Sequence, residues 1–323
     1  MEIKFERINE NHVNAAVRLV QTAYNYEKKV VNFLPEYQTD SDVIHRIIKN
    51  LFTKGTGIAA ISNNNLIGYL AGYTIDELFG KCGGIYSPLY GHGAIKKHRN
   101  RIYCQLYQKA AKDWVEKSLM THAITLFAHD KKTVDTWFWL GFGHRCVDAI
   151  RRVSPIKPSV KKTNDEIFIK KTNLEDVSEI AFLEQNIVKY MNLSPMFMPR
   201  VEEEPIESLT EWLKQDDHHH WTAYLNNKPA GYIKIEPEAE TFVANHHDVM
   251  NITGAYVVEK HRDSNIGTSL LDIVQQWLIK EDYRLCGVDF ESFNILGSIF
   301  WMKYFTPYTY SLVRRIDERI TEI

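Results

Sequence analysis

Between Val257 and Leu271 the chain reads Val-Val-Glu-Lys-His-Arg-Asp-Ser-Asn-Ile-Gly-Thr-Ser-Leu-Leu. A guanidinium, Arg262, is followed by small and polar residues: Ser264, Asn265, Gly267 and Thr268. From Gly267 onward Leu270, Leu271, Val274 and Leu278 recur at helical spacing, so these small residues stand where a helix begins. A helix N-terminus presents unpaired N–H groups and the positive end of the helix dipole. Small residues there, with an arginine just before, can cradle a phosphate or pyrophosphate. Two histidine groups, Asp216-Asp217-His218-His219-His220 and His246-His247-Asp248, lack the two-histidine helical spacing of a zinc enzyme. No functional metal is expected, and the first group reads as an exposed loop. The four cysteines, Cys82, Cys104, Cys146 and Cys286, form no CxxC pair and read as reduced, buried structural thiols.

The elements that must hold this turn are legible around it. A β-rich run (Tyr256, Val257, Val258) leads into it, and a strand over 284–291, a helix over 295–304 and a strand over 308–316 follow. Within the first of these, Val288 and Phe290 alternate with Asp289 and Glu291, giving one apolar and one acidic face.

The same order of elements occurs twice. Ile3, Asn9, Val13 and Leu19 match Ile167, Asn173, Val177 and Leu183 at an offset of 164. Asn63-Asn64, Gly68-Tyr69, His98-Arg99 and Arg151-Arg152-Val153 match Asn226-Asn227, Gly231-Tyr232, His261-Arg262 and Arg314-Arg315-Ile316 at 163. Each copy reads as strand, capped helix, Asn-turned hairpin, central strand, helix, strand, helix, strand. That is an α+β fold, a mixed sheet flanked by helices. Residues 1–153 form the first copy and 165–323 the second, with a Pro/Ser/Lys-bearing linker over 154–164.

At 323 residues the chain fits two domains of roughly 150 residues each. Hydrophobic residues at 44% and charged residues at 25% fit a folded, soluble protein. A net charge of −2 gives no reason to expect nucleic acid as partner. Basic clusters such as Lys96-Lys97-His98-Arg99, Lys161-Lys162 and Arg314-Arg315 read as solvated faces. No apolar run approaches the roughly 20 residues that span a bilayer. The first residues lack a signal-peptide pattern, so a cytoplasmic location is expected.

The segment 257–271 resembles the acyl-CoA-binding motif of the GNAT (Gcn5-related) N-acetyltransferases: Arg or Gln, two residues, Gly, any residue, Gly or Ala. Arg262 and Gly267 hold the outer positions, and Asn265 replaces the first glycine. Asn is suited to the exchange because it tolerates φ > 0. The family also has an Asn after the following strand and a Tyr seven residues later. Here these positions hold Asn294 and Trp301, with Tyr304-Phe305 near the usual Gly-Phe. The resemblance covers 165–323 and, through the repeat, the fold of 1–153. In the first copy an offset of 163 puts Ile102 at Asn265 and Cys104 at Gly267, and puts Lys131 at Asn294. That copy is expected not to bind acyl-CoA.

The resemblance implies an acetyl-CoA-dependent N-acyltransferase acting on a primary amine by direct attack, in a cleft between two central strands of the second half. Acetyl-CoA would be held by Val257, Val258, Arg262, Asp263, Ser264, Asn265, Ile266, Gly267, Thr268, Asn294 and Trp301. An N–H at Val257 or Val258 would polarise the thioester. Asn294 would bond the pantetheine arm or orient the amine. Glu291 is the first candidate base or else a solvated strand-end carboxylate, with Glu259 and Asp289 as alternatives. Trp301 has no transferable proton, so the acid is Tyr304 or water, with Tyr256, Tyr308 and Tyr310 also in reach. The acidic residues, with Glu202-Glu203-Glu204 as further candidates, suggest a cationic amine. A non-catalytic acyl-CoA sensor or interaction module is the rival reading. A monomer or a homodimer is compatible with either.

Overall fold

Paired asparagines turn the same hairpin in each half of the chain. In the computed structural model, which describes residues 2–36, 41–156, 167–200 and 204–322, Asn63, Asn64, Asn226 and Asn227 all have φ between 48° and 60°. Two left-handed residues in a row define the I′ turn, whose twist suits a two-residue β-hairpin. Each hairpin also carries one bulge, at Ile67 in the first and at Ala230 in the second, skipped by the register of the partner strand.

The first half runs β1 (Lys4–Arg7), α1 (Val13–Val30), α2 (Ser41–Lys54), β2 (Thr56–Ser62), β3 (Asn65–Ile75), β4 (Gly84–Ser87), β5 (His92–Ala94), α3 (Arg99–Glu116), β6 (Thr121–Phe127), α4 (Lys131–Trp139) and β7 (Gly143–Arg152). The second runs β8 (Ile167–Lys171), α5 (Val177–Asn192), α6 (Pro205–Leu213), β9 (His219–Leu225), β10 (Lys228–Glu236), β11 (Val249–Val257), α7 (Ile266–Lys280), β12 (Leu285–Glu291), α8 (Ile295–Tyr304) and β13 (Thr306–Arg315). α1 and α5 begin alike: the Asn9 N–H donates to His12 Nδ1 at 3.2 Å, and the Asn173 N–H to Asp176 Oδ2 at 3.0 Å. These are capping boxes, each closing a helix start.

The compact units differ from the contiguous halves 1–153 and 165–323. Unit 1 is Met1–Asp148 with Pro307–Ile323, and unit 2 is Ala149–Thr306. In unit 1 the strand order is β1-β2-β3-β4-β6-β13, with β5 beside β3. β13 runs antiparallel to β6, from Thr309 opposite Phe127 to Arg315 opposite Thr121. In unit 2 the order is β8-β9-β10-β11-β12, and residues 149–152 lie beside β12. Each unit is thus completed by the last strand of the other half of the sequence. The repeat shows which strand comes last; it does not say which sheet takes it, because β7 and β13 carry the same Arg-Arg-aliphatic ending. Ser154 and Ile156, at the head of the expected linker, are tied to unit 2, the Ile156 N–H donating to Asp272 Oδ1 at 2.8 Å. Residues 157–164 of that linker, with Lys161-Lys162, lie outside the described residues.

Helices cover both faces of each sheet. In unit 2 Tyr232 packs among Val177, Ile180, Leu183 and Leu209 of α5 and α6. Its neighbour Gly231 faces the other way, where a Cβ would meet Ile266 of α7 at 3.3 Å. Unit 1 repeats the pattern: Tyr69 rests on Phe52 of α2, and Gly68 faces Ile102 of α3.

Candidate active site

The parallel strands β11 and β12 stay paired for four residues, from Val249–Leu285 to Ile252–Val288, and no further. The next residue, Thr253, is skipped by the register with β10, a bulge that bends β11 away from β12. Gly254 to Val257 remain bonded to β10 alone. A wedge opens between residues 253–257 and 289–291.

Backbone groups of β11 face that wedge. The Val258 N–H is spent on the Ala230 carbonyl at 2.9 Å. Peptide groups alternate in direction along a strand, so the Val257 N–H points away from β10 and into the opening. Of the two donors the sequence leaves open, Val257 is the one facing the wedge.

The turn beyond β11 is built by left-handed residues. Asp263 has φ 63° and Asn265, the residue before α7, φ 68°. Ser264 Oγ donates to the His261 carbonyl. The first helical bond beyond the turn runs from the Ser269 N–H to Asn265 O, so the N–H groups of 266–268 precede the ladder. Ile266 buries its side chain against Gly231 and offers only backbone. At Gly267 a Cβ would make ordinary contact with Phe300, 3.4 Å away, so glycine there keeps the helix end bare rather than relieving a clash. Arg262 Nε donates to the Val257 carbonyl at 3.3 Å, and its guanidinium lies 5.0 Å from the Tyr190 ring centre and 5.9 Å from that of Tyr256.

α8 starts at Asn294, whose Oδ1 accepts the Gly297 N–H at 3.0 Å and the Tyr190 hydroxyl at 2.9 Å. Tyr304 meets the turn, its hydroxyl 3.3 Å from Thr268 Oγ1. Trp301 points into the core: it is 8% exposed and packs edge-on against Phe305, as Trp137 does against Phe142 in unit 1. Tyr308 and Tyr310 stand in β13, within unit 1.

Three carboxylates border the wedge. Asp289 is open to solvent, yet its carboxyl is pushed up to about 6, by desolvation first and then by Glu240 and Glu291, with Arg200 opposing. Glu291 is half-buried at the end of β12, and Glu259 is exposed on the turn at the far side. Glu202 and Glu203 lie outside the described residues.

The first histidine group is placed differently from the exposed loop the sequence suggests. His219 and His220 belong to β9, and His220 is buried, stacked on Tyr232 with Nδ1 2.8 Å from Thr172 Oγ1. His218 Nε2 lies 3.3 Å from Glu236, and its Nδ1 lies 3.1 Å from the Trp212 carbonyl. Of the four cysteines only Cys286 is buried; Cys104 is exposed.

Unit 1 has the same framework with the wedge closed. Arg99 Nε donates to Ala94 O at 3.2 Å, as Arg262 does to Val257. Two local equivalences correct the offset of 163 to 164 between this arginine and the start of α4: Ile102 packs on Gly68 as Ile266 does on Gly231, and Asp130 caps α4 as Asn294 caps α8. Tyr103, not Cys104, therefore stands at Gly267, and Asp130, not Lys131, at Asn294. α3 starts at Arg99 itself, so the turn is absorbed into the helix. His92 bridges the splayed strands, Nε2 donating to Thr125 O at 2.8 Å and Nδ1 lying 3.0 Å from the Tyr103 hydroxyl. Burial pushes this imidazole down to about 4. Arg99 pairs with Asp130 across the remaining space.

Residues 188–294 match the model of the acetyltransferase (GNAT) family. The fold resembles a GCN5-related N-acetyltransferase from Sphaerobacter thermophilus, with 11% identity over 97% of this chain and 95% of the other, at TM-score 0.62. A tandem GNAT protein from the clavulanic acid biosynthesis pathway matches with 12% identity over 97% and 98%, at TM-score 0.50. A glucosamine N-acetyltransferase region of a fungal multi-domain β-N-acetylglucosaminidase matches with 10% identity over 97% and 38%, at TM-score 0.56. No curated protein matches the sequence. The chain has the GNAT fold in tandem, and within its second half residues 188–294 match the acetyltransferase (GNAT) family model. Among the described residues no helix is long and apolar enough to cross a membrane.

Tyr190 and Gly297 escaped the sequence reading. The signal for Gly297 was present, since a residue three after a helix-capping Asn receives the cap. Tyr190 carried none: it ends an ordinary amphipathic helix, and only packing brings it to Asn294.

Proposed function

We propose that unit 2 transfers an acyl group, most simply acetyl, from acyl-CoA to a primary amine, and that unit 1 binds no acyl-CoA. The observation that carries this is the open β11–β12 wedge beside the bare start of α7, set against the same wedge bridged by His92 in unit 1. The residues fit the donor: Arg262 and the N–H groups of 266–268 suit the pyrophosphate, and the wedge suits the extended arm, with Asn294 at its edge. Acetyl-CoA supplies a thioester, an acyl group already activated toward amines.

The chain's own groups do the rest. The Val257 N–H is directed at the oxygen on which charge develops. Asp289, held near 6 and standing at the edge of the wedge, is the better base: it is ionised at neutral pH and basic enough to take a proton from an ammonium or from the attacking nitrogen. Glu291, the first choice from sequence, then acts by raising Asp289. The N–C bond forms as the C–S bond breaks, and the departing thiolate takes its proton from Tyr304 or from water. Asp289, Glu240 and Glu291 favour a cationic acceptor. Soluble, cytoplasmic action fits this chemistry.

Thiol release from acetyl-CoA across a panel of primary amines tests the proposal, with calorimetry expected to show one CoA site per chain. Absence of CoA binding would sink it. Binding without turnover on any amine would favour the sensor reading instead.

A further inference from the structure

Both lone pairs of Asn294 Oδ1 are in use. One receives the Gly297 N–H at 3.0 Å and the other the Tyr190 hydroxyl at 2.9 Å. An amide oxygen takes two donors, so a third finds no place. Because a backbone N–H can only donate, the Gly297 contact also settles which end of the amide is oxygen. Nδ2 points the other way, and among the described residues no group accepts from it. Asn294 is half-buried, so these N–H bonds are within a ligand's reach. Gly297 preserves their room, since a Cβ there would lie 2.7 Å from Nδ2.

We propose that Tyr190 is a positioning residue of the acyl-CoA site: by sharing Asn294 Oδ1 with the Gly297 N–H, it makes Asn294 a donor only. The inference rests on the acyl-CoA reading above and decides between the two roles the sequence leaves to Asn294. A donor-only amide binds a carbonyl, and the pantetheine arm carries two. It has nothing to accept a hydrogen bond from an ammonium, so orienting the amine falls to the carboxylates of the wedge.

Unit 1 supplies the contrast. At the equivalent cap Asp130 Oδ1 accepts the Thr133 N–H at 3.3 Å, and Oδ2 accepts the Thr133 hydroxyl at 2.8 Å and pairs with Arg99. Thr133 stands where Gly297 does. A carboxylate has no N–H to offer, so this cap cannot hold a carbonyl. Asn and Gly in unit 2 become Asp and Thr in unit 1, and the arm loses its partner on the side where His92 already blocks it.

Tyr190→Phe isolates the hydroxyl, because phenylalanine keeps the ring that Arg262 stacks on. Calorimetry on the full chain would compare CoA with 3′-phosphoadenosine 5′-diphosphate, the fragment lacking the arm. The variant is expected to weaken CoA about 3- to 10-fold, the range of one hydrogen bond. The fragment should bind unchanged, and the KM for acetyl-CoA should rise while kcat holds. In an Asn294→Ala background the Tyr190→Phe change should have no further effect. Equal weakening of both ligands would mark Tyr190 as merely structural and overturn the proposal, as would unchanged CoA binding or an effect that survives Asn294→Ala. If the unaltered chain binds the fragment and CoA equally, the arm makes no contact and the proposal fails. If it binds neither, the acyl-CoA reading itself fails.

Discussion

The Ile316 N–H donates to the Met120 carbonyl at 2.8 Å, and the Val153 N–H donates to the Arg284 carbonyl at 3.0 Å. Ile316 is the repeat of Val153, and Met120 is the repeat of Arg284. The two bonds are the same bond with the last strands traded: residues 307–323 belong to unit 1, and residues 149–306 to unit 2. Leu312 of β13 is fully buried in the core of unit 1, among Trp137, Phe142 and Leu126. Leu312→Ala is therefore expected to destabilise unit 1, by about 2–5 kcal/mol as for other buried leucines. Urea denaturation would show it, while CoA binding in unit 2 persists below the transition.

Gly267 and Cys104 give opposite expectations. Gly267→Val puts two methyl groups where the bare helix end meets the pyrophosphate, and CoA affinity should fall roughly tenfold or more, since the lost contacts are charge-assisted. Cys104 is exposed on α3 and lies outside any equivalent of the turn. Cys104→Trp should leave CoA binding unchanged, as calorimetry would record.

The rate should follow the ionisation of Asp289. A base must be deprotonated to act, so kcat/KM should rise with pH through about 6 and then level. Asp289→Asn should lower kcat/KM about 10²-fold and abolish that limb. Glu291→Gln removes a negative neighbour, so the limb should shift to lower pH while most of the rate survives. A profile unchanged in Asp289→Asn would move the role elsewhere.

Buried histidines set an acid limit on stability. Burial lowers His92 and His122 in unit 1 to about 4 and His220 in unit 2 to about 3. The unfolded chain takes up protons near 6.5, so it binds more protons than the native state between that pH and about 4. These groups' contribution is whole above 6.5 and is lost as pH falls through that window. The urea midpoint should decline accordingly, and less steeply in His220→Gln.

Much of this was legible because it is local. Paired asparagines specify I′ turns wherever they occur, and the two capping boxes, the Arg262 turn and the Asn294 cap are settled within a few residues of chain. The repeat then made the loss of the turn in the first half visible, although the offset slipped by one residue past Arg99. That slip could not be seen without packing, since only the contacts of Ile102 with Gly68 and of Asp130 with α4 reveal it. Trp301 at the expected tyrosine position was equally plain, but its burial in the core was not.

The sequence by itself determined the duplicated α+β fold, the Arg262 turn and its absence from the first copy, because helix starts, turns and alternation are short-range. The tertiary structure alone decided which sheet each last strand joins, since β7 and β13 present the same edge pattern and either partner would satisfy it. It also decided that His92 fills one wedge while the other stays open, that Tyr308 and Tyr310 fall in unit 1, and that Tyr190 meets Asn294. Those contacts join residues far apart in the chain, and no local preference of either partner encodes them.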